Sequence, residues 1–140
     1  MKVDIFTYCD FASMYGGKIC IMGATETLFV NQFPARIPSG LVAVKIRPEP
    51  GDEGDRSIRT ELVDQDGKLI ISGGSRQMKV PEFKSQPDKI EIRTHLHLDR
   101  FGNFQIQKLG EYMLRLLVDG VQISSSPIYF VPIPQKPKPI

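Results

Sequence analysis

The dipeptide Asp119-Gly120 separates two runs in which every second residue is apolar. Before it, the alternating apolar residues are Tyr112, Leu114, Leu116 and Val118. Period-two alternation is typical of a strand that rests one face on a core. A type I′ turn needs positive φ at both central residues, and Asp-Gly supplies this readily. The segment 109–132 is therefore predicted to be a β-hairpin in which Val118 pairs with Val121.

This register also predicts an irregularity in the second strand of the hairpin. It places Val121 and Ile123 on the core face, but it leaves Ile128 and Phe130 on the outer face. A β-bulge reverses the parity of the residues that follow it, so we expect one within 124–126. The first strand begins with Leu109-Gly110-Glu111-Tyr112, like the corner of immunoglobulin-like domains in which a Tyr hydroxyl bonds back to the backbone.

Further short strands with turns between them occupy the rest of the chain, and no long helical periodicity is present. This pattern predicts an all-β, single-domain, antiparallel, immunoglobulin-like β-sandwich of about seven to nine strands. Residues 1–131 are expected to form the sandwich domain. Residues 132–140 are rich in proline and are expected to form an extended tail. Residues 11–14 are compatible with one helical turn.

The charge balance argues against a nucleic-acid partner. The chain has 18 Lys and Arg against 16 Asp and Glu, a formal charge of +2, with the two signs interleaved. A nucleic-acid-binding surface concentrates basic residues on one face. No apolar run is long enough to cross a bilayer, and Asp4 interrupts the apolar stretch that a secretion signal needs. We therefore expect a cytoplasmic protein, with Cys9 and Cys20 as reduced core thiols.

Three residues on one predicted strand are candidate metal ligands. In residues 89–99, Ile90, Ile92, Thr94, Leu96 and Leu98 form the predicted core face, so His95, His97 and Asp99 share the solvent face. Imidazoles two residues apart on a strand lie about 6–7 Å apart, which suits one metal ion. The competing interpretation is an ordinary polar solvent face, because the Glu that follows the second His in a cupin is absent here.

The acidic turns offer a second cation hypothesis. Asp52, Glu53 and Asp55 lie at one end of the predicted strand 57–63, and Asp64 and Asp66 lie at the other end. The two groups are about 25 Å apart, so they cannot share an ion. An up-and-down strand order would bring Asp99 to the end that holds Asp64 and Asp66, which favours this trio for calcium. Ordinary turn chemistry explains the same residues.

The first strand carries apolar residues on both faces. Val3, Ile5 and Cys9 have one parity, whereas Phe6 and Tyr8 have the other. A strand of this kind is either central in its sheet or covered on its outer face by another chain. Residues 3–8 are therefore a candidate homodimer interface.

Several short motifs resemble those of a family of small uncharacterised bacterial β-sandwich proteins. They are Cys9-Asp10-x-Ala12, Gly17-Lys18, Met22-Gly23, Pro34-x-x-x-Pro38, Asp64-x-Asp66-Gly67 and Gly110-x-Tyr112. The resemblance covers most of the chain and implies a bacterial, cytoplasmic β-sandwich, but no activity, cofactor or site residue.

No arrangement of residues in the sequence points to a catalytic nucleophile, and no cofactor is expected. The favoured function is therefore a non-catalytic binding or scaffolding module with a protein partner. The alternative is a metal-binding protein or metal-dependent enzyme that uses His95, His97 and Asp99.

Overall fold

Alternating apolar residues and glycine-rich turns produce a structure of β-strands, seen in a computed structural model that describes residues 1–84 and 93–134. Within these ranges there are twelve strands. They are β1 (Lys2–Cys9), β2 (Phe11–Tyr15), β3 (Lys18–Met22), β4 (Thr27–Val30), β5 (Ala35–Ile37), β6 (Leu41–Arg47), β7 (Gly54–Val63), β8 (Leu69–Val80), β9 (His95–Arg100), β10 (Phe104–Ile106), β11 (Gly110–Val118) and β12 (Val121–Pro132). The all-β prediction is confirmed.

The strands form two larger and two smaller sheets in the described part of the chain. One larger sheet has the order β1-β6-β9, and the other has the order β4-β12-β11-β7-β8. Two-stranded sheets join β5 to β10 and β2 to β3. The strand number exceeds the predicted seven to nine because short segments such as β2 and β5 also form strands. Residues 11–14, a candidate helical turn, lie in β2, where the Gly16-Gly17 turn pairs them with β3.

The strand pairs are antiparallel with one exception among those described. Strand β4 pairs with β12 in parallel, with Phe29 opposite Val131. The connection from β4 back to β12 runs through most of the chain, so no tight turn forces these strands to be antiparallel. The prediction of a purely antiparallel fold is therefore wrong at this edge.

A single core cluster takes side chains from both larger sheets and from the β5–β10 pair. Its fully buried members include Val44 and Ile46 of β6, Ile58 of β7 and Leu114 of β11. Phe130 packs edge-on against Tyr112, with ring centroids 4.9 Å apart. A smaller cluster of Cys9, Ala12 and Ala43 lies on the other side of the three-stranded sheet, under β2 and β3. The β2–β3 hairpin thus covers part of that sheet's outer face.

The closing hairpin confirms the predicted turn and the pair beside it, but the predicted pairing of Leu116 with Ile123 and of Leu114 with Ser125 is wrong by one residue. Asp119 and Gly120 have φ values of 51° and 78°, and Val118 pairs with Val121. The pairing shifts between Leu116 and Leu117, which places the bulge at Ile123, just before the predicted segment 124–126. Ile128 and Phe130 return to the core, as the bulge requires. Val121 is exposed and not in the core, because it lies at the end of the hairpin, directly beside the turn.

The first residues of the predicted tail belong to a strand. Pro132 is the last residue of β12 and pairs with Val30, and the N–H of Ile133 donates to the carbonyl oxygen of Val30. Pairing with β11 ends at Phe130, opposite Gly110, so the missing N–H of Pro132 leaves no gap in that ladder. Residues 135–140 of the tail lie outside the described residues, as do residues 89–92 of the predicted strand 89–99.

Candidate functional site

The candidate metal ligands lie on the inner face of β9, not on a solvent face. His97 and Asp99 are buried, and His95 is partly buried. The inner and outer faces predicted for this strand are therefore exchanged. Leu98 points the other way and packs on the smaller cluster beneath the β2–β3 hairpin. Because that hairpin covers part of the outer face, Leu98 packs there, and His97 and Asp99 are directed between the sheets.

Asp99 is the centre of a buried polar cluster that joins both larger sheets. Its side chain has no exposed surface. The hydroxyl of Thr60 on β7 donates a hydrogen bond to Asp99 Oδ2. His97 Nε2 lies 2.8 Å from the same oxygen, and Arg76 Nε on β8 lies 3.5 Å from Oδ1. The cluster ties the edge strand of one sheet, β9, to β7 and β8 of the other.

The ionisation of Asp99 follows from these contacts. Burial acts to raise the pKa of the Asp99 carboxyl, but hydrogen bonds from His97 and Thr60, with the charges of His97 and Arg76, hold it below its usual value. The carboxylate is therefore ionised at neutral pH and can only accept hydrogen bonds. It follows that Nε2 of His97 carries the proton and donates a hydrogen bond to Asp99.

The backbone of β8 closes the cluster from the side of Gly73. A Cβ atom at this position would lie 2.3 Å from Asp99 Cγ, so no side chain fits there. The register of β7 and β8 shifts beside this point, between Arg59 and Glu61. With its carboxylate sealed beneath β8, Asp99 is not accessible to a substrate in this structure. The arrangement acts as an internal ion-paired tie between the sheets.

His95 extends the cluster toward one end of β9. Its ring stacks on that of His97, with centroids 6.1 Å apart and an angle of 22° between the planes. Burial, together with the charge of His97, lowers the pKa of His95. Among the described residues, Nε2 of His95 is buried without a hydrogen-bond partner. Residues 1–84 and 93–134 contain no group of three acidic, His or Cys side chains arranged to hold a metal. Metal binding at His95, His97 and Asp99 stays a prediction.

Within the described residues, Asp64, Asp66 and Asp99, the candidate calcium ligands, do not form a group that could hold a metal ion. Asp64 Oδ1 accepts hydrogen bonds from the backbone N–H groups of Asp66 and Lys68, both at 2.9 Å. This is the turn chemistry that the sequence also allowed. The carboxylate of Asp99 forms hydrogen bonds with Thr60 and His97 inside the fold. The acidic loop before β7 uses Asp52 in a different way, as a partner of the N-terminal amino group of Met1 at 2.9 Å.

A surface that the sequence-based interpretation missed lies on the β2–β3 hairpin. One side of this hairpin packs on the smaller cluster through Ala12, Ile19 and Ile21. The other side is directed away from the protein and is here called the hairpin face. It consists of Phe11, Ser13, Tyr15, Lys18, Cys20 and Met22. The signal that could have revealed it is Gly16-Gly17 between two five-residue apolar runs, a hairpin motif.

The hairpin face exposes three large apolar side chains. Phe11 is 53% exposed, Tyr15 is 63% exposed, and Met22 is 60% exposed. Phe11 and Met22 are direct cross-strand partners, and Tyr15 is the partner of Lys18. The pair Ser13 and Cys20 lies between these two pairs on the same face. Single apolar residues are normal on a surface, but several large ones on one face favour an interaction site. The outer face of the five-stranded sheet differs, because Arg59 and Arg115 there form ion pairs with Glu61.

The two cysteines occupy different environments, and both are free. Cys9 is fully buried beneath the hairpin, and burial raises the pKa of its thiol. Cys20 is exposed on the hairpin face. The prediction of a core thiol is thus confirmed for Cys9 and wrong for Cys20. The side chains of β3 alternate across the hairpin, and the parity of Cys20 directs it outward with Met22.

The candidate homodimer segment, 3–8, is largely accounted for within one chain. Tyr8 is part of the main core, and Val3 and Phe6 pack against that core. On the opposite side of β1, Cys9 lies under the β2–β3 hairpin. Val3, Phe6 and Tyr8 therefore have partners in the same chain, whereas Ile5 belongs to neither cluster. A homodimer through 3–8 stays a prediction.

Comparison with known proteins gives one result that bears on identity. A family model described as a family of unknown function, DUF6941, matches residues 4–131. A search of curated proteins found no match to the chain. In the described part of the chain, no helix has the length and apolar character needed to span a membrane.

Proposed function

The chain belongs to DUF6941, a family of unknown function, and on that premise we propose that it is a non-catalytic protein-binding module that uses the hairpin face. The membership agrees with the resemblance of the sequence to an uncharacterised family. The proposal is carried by one observation, which is the exposure of Phe11, Tyr15 and Met22 on one face of a hairpin whose other face packs on the smaller cluster.

The energetics of these side chains support a binding role. Each aromatic side chain can bury about 150–250 Å² in an interface, and transfer from water gains roughly 25 cal/mol per Å². The residues are anchored on a short hairpin with a tight Gly16-Gly17 turn, so little conformational freedom is lost when a partner covers them. Tyr and Met are also enriched at protein interfaces. Exposing them without a partner costs solubility, which a binding role would offset.

We propose that the scaffold is an immunoglobulin-like β-sandwich. Two observations support this assignment. Side chains of both larger sheets meet in one cluster. The hydroxyl of Tyr112 donates a hydrogen bond of 2.8 Å to the carbonyl oxygen of Lys108, as in the tyrosine corner of such domains. We further propose a cytoplasmic protein, with which the free thiols of Cys9 and Cys20 are compatible.

The buried cluster supports the non-catalytic part of the proposal. Asp99, Thr60 and His97 hydrogen-bond to one another within the fold and offer no exposed reactive atom to a ligand. A general base needs to reach its substrate within hydrogen-bond distance. The cluster is better suited to holding the sheets together than to chemistry.

The test compares capture of partners by two variants. The wild-type protein, the triple variant Phe11→Ser/Tyr15→Ser/Met22→Ser and the control Leu109→Ser/Val121→Ser are immobilised and exposed to lysate of the source cell. The control removes exposed apolar residues elsewhere. Specific proteins retained by wild type and control but lost from the triple variant are expected. Equal capture by all three proteins would contradict the proposal.

A second candidate function is metal binding at His95, His97 and Asp99. The observation that favours it is the buried Nε2 of His95, which lacks a hydrogen-bond partner among the described residues and has a lone pair suited to a metal. Metal analysis and thermal melting with added zinc, manganese, nickel or calcium test it against the double variant His95→Ala/His97→Ala. A stabilisation seen in wild type alone would support this function, and no bound metal with no shift would remove it.

A further inference from the structure

We propose that the free edge of β2 binds an extended peptide segment of the partner, which adds to the β2–β3 hairpin as a third strand. This inference rests on the proposed function and names the form in which the partner is recognised. It is drawn from the unpaired edge of β2, the groove beside that edge, and the charge at the far wall of the groove.

The edge of β2 has unpaired backbone groups. Strand β2 pairs with β3 alone in a two-stranded sheet. In an antiparallel pair, alternate residues direct their N–H and C=O groups away from the partner strand. Among the described residues, backbone hydrogen bonds of 11–15 are confined to this pairing. An exposed edge of this kind is a template for another strand, and peptide recognition by strand addition uses it.

A groove of about 390 Å³ runs beside this edge. One wall is formed by residues 10–12 at the start of β2. The opposite wall is formed by residues 38–41 with Arg100 and Gly102. This volume lies within the range of small ligand sites, about 300–1,000 Å³, and suits a few residues of extended chain. A strand that occupies it would lie between the edge of β2 and the 38–41 segment.

The far wall of the groove is held in place before any ligand arrives. The hydroxyl of Tyr8 donates to the carbonyl oxygen of Ser39 at 3.2 Å, and the N–H of Phe101 donates to that of Gly40 at 2.9 Å. Gly40 has to remain glycine, because an added Cβ would lie 1.8 Å from the Tyr8 hydroxyl. Burial of that hydroxyl raises the pKa of Tyr8 to about 12, so it stays a donor at neutral pH. A preformed wall reduces the ordering cost of binding.

The charge beside the groove selects the chemistry of the peptide. Arg100 is exposed and makes no hydrogen bond or ion pair with residues in the described ranges. Asp10, the acidic residue of the groove, packs its carboxylate against Gly23, where an added Cβ would lie 2.2 Å from Oδ2. Arg100 therefore remains to pair with the ligand, and Phe11 offers an apolar contact. The geometry points to a peptide with an acidic residue near an apolar one.

A second copy of the chain is a weaker fit for the same surface. The exposed parts of Phe11, Tyr15 and Met22 amount to about 100 Å² each, from the size of such side chains. A stable dimer buries about 800 Å² on each partner. Face-to-face contact of two hairpins would fall well short of this area. Strand addition gains backbone hydrogen bonds as well as side-chain contacts, so it requires less apolar area.

The experiment selects phage-displayed random linear peptides on the wild-type protein and then measures their binding to Ser39→Trp, which we expect to be lost. Ser39 is an exposed residue of the groove wall, so tryptophan there blocks the groove, and Ser75→Trp on exposed β8 is the matched control. We expect peptides that bind wild type and Ser75→Trp equally. N-methylation of alternate backbone amides should abolish binding, and Arg100→Glu should weaken it roughly tenfold through charge reversal. Backbone NMR shifts should concentrate at 11–14, 38–41 and 100–102.

Three outcomes would overturn the inference. They are no selected peptide, peptides that bind Ser39→Trp as well as wild type, and affinity that survives N-methylation. If the hairpin-face triple variant still loses its captured partner in any of these cases, the proposed function stands and only the strand-addition inference fails. Concentration-dependent dimers that compete with the selected peptides would assign the groove to a second copy and would also contradict it.

Discussion

Nε2 of His97 donates a hydrogen bond of 2.8 Å to Oδ2 of Asp99, and both side chains lie buried between the two larger sheets. Thr60 donates to the same oxygen from the facing sheet. A buried carboxylate is costly unless it is fully paired, so this tie stabilises the fold only while its partners remain in place. The hairpin face has the opposite arrangement, because apolar side chains are exposed there.

Replacing the carboxylate tests the tie. We expect Asp99→Asn to lower the free energy of unfolding by about 2–4 kcal/mol at pH 7, because the amide keeps the shape but loses the charge that His97 and Arg76 contact. Urea denaturation followed by circular dichroism measures this value. Asp66→Asn, on an exposed turn, is the control and should change little. A loss below about 0.5 kcal/mol for Asp99→Asn would show that the tie contributes little to stability.

The same residue predicts a pH dependence of stability. The pKa of Asp99 is lowered in the folded protein, so its stabilisation is present above the unfolded Asp value of about 3.9 and is lost as pH falls through the folded value. The difference in unfolding free energy between wild type and Asp99→Asn should therefore shrink below about pH 4. Denaturant titrations from pH 7 to pH 3 measure it. A difference that grew on acidification would contradict the lowered pKa.

Gly73 is predicted to be intolerant of any side chain. A Cβ there would meet Asp99 Cγ at 2.3 Å, so Gly73→Ala forces β8 away from β9. We expect a loss of about 1–3 kcal/mol, the usual cost of overpacking. The matched control is Ser75→Ala, which alters an exposed residue of the same strand. Thermal melts of the two variants give the comparison. Equal melting temperatures would show that β8 can move away from Asp99 without loss of stability.

The Tyr112 corner makes a separate contribution. Tyr112→Phe removes the hydrogen bond to Lys108 and leaves the ring packed against Phe130, so we expect a loss of about 1 kcal/mol. Tyr129→Phe changes a more exposed hydroxyl and serves as the control. Equilibrium denaturation of both variants is the measurement. A loss as large for Tyr129→Phe would show that the effect does not come from the corner.

The thiols should react at different rates. Cys20 is exposed and Cys9 has no accessible surface, with the pKa of its thiol raised by burial. A thiol reagent such as DTNB should therefore modify Cys20 promptly in the native protein and Cys9 only after denaturation. Mass spectrometry of digested protein identifies the modified residue. Modification of Cys9 under native conditions would mean that the β2–β3 hairpin opens readily.

Sequence periodicity predicted the fold where one face of a strand is apolar and the other polar. In β11 the apolar residues Leu114 and Leu116 are fully buried, and the Asp119-Gly120 turn has the expected conformation. In β9 the same reasoning failed. Leu96 and Leu98 suggested one core face, but the hairpin covers that side of the sheet and the polar residues find partners within the fold. The packing of a hairpin on a distant strand depends on the tertiary structure, and the sequence of the strand itself does not indicate it.

The candidate site shows the same limit. His95, His97 and Asp99 were identified as residues that share a face, and they do, but the sequence does not reveal that the face is internal. The sequence is compatible with a helical turn at 11–14, whereas these residues form β2. The break in parity at Asp10, where the N–H donates to both Met22 and Gly23, redirects the chain into the hairpin. A local backbone irregularity of this kind is not readable from apolar spacing.

The most direct test of protein binding by the hairpin face replaces Tyr15 with a photo-crosslinking amino acid, benzoylphenylalanine, in the source cell. The matched control carries it at Val121, which is equally exposed on the closing hairpin. We expect a specific crosslinked adduct, heavier than the chain by the mass of one partner, from position 15 and none from position 121. No adduct at position 15, or the same adduct at both positions, would contradict the claim that the hairpin face binds a protein.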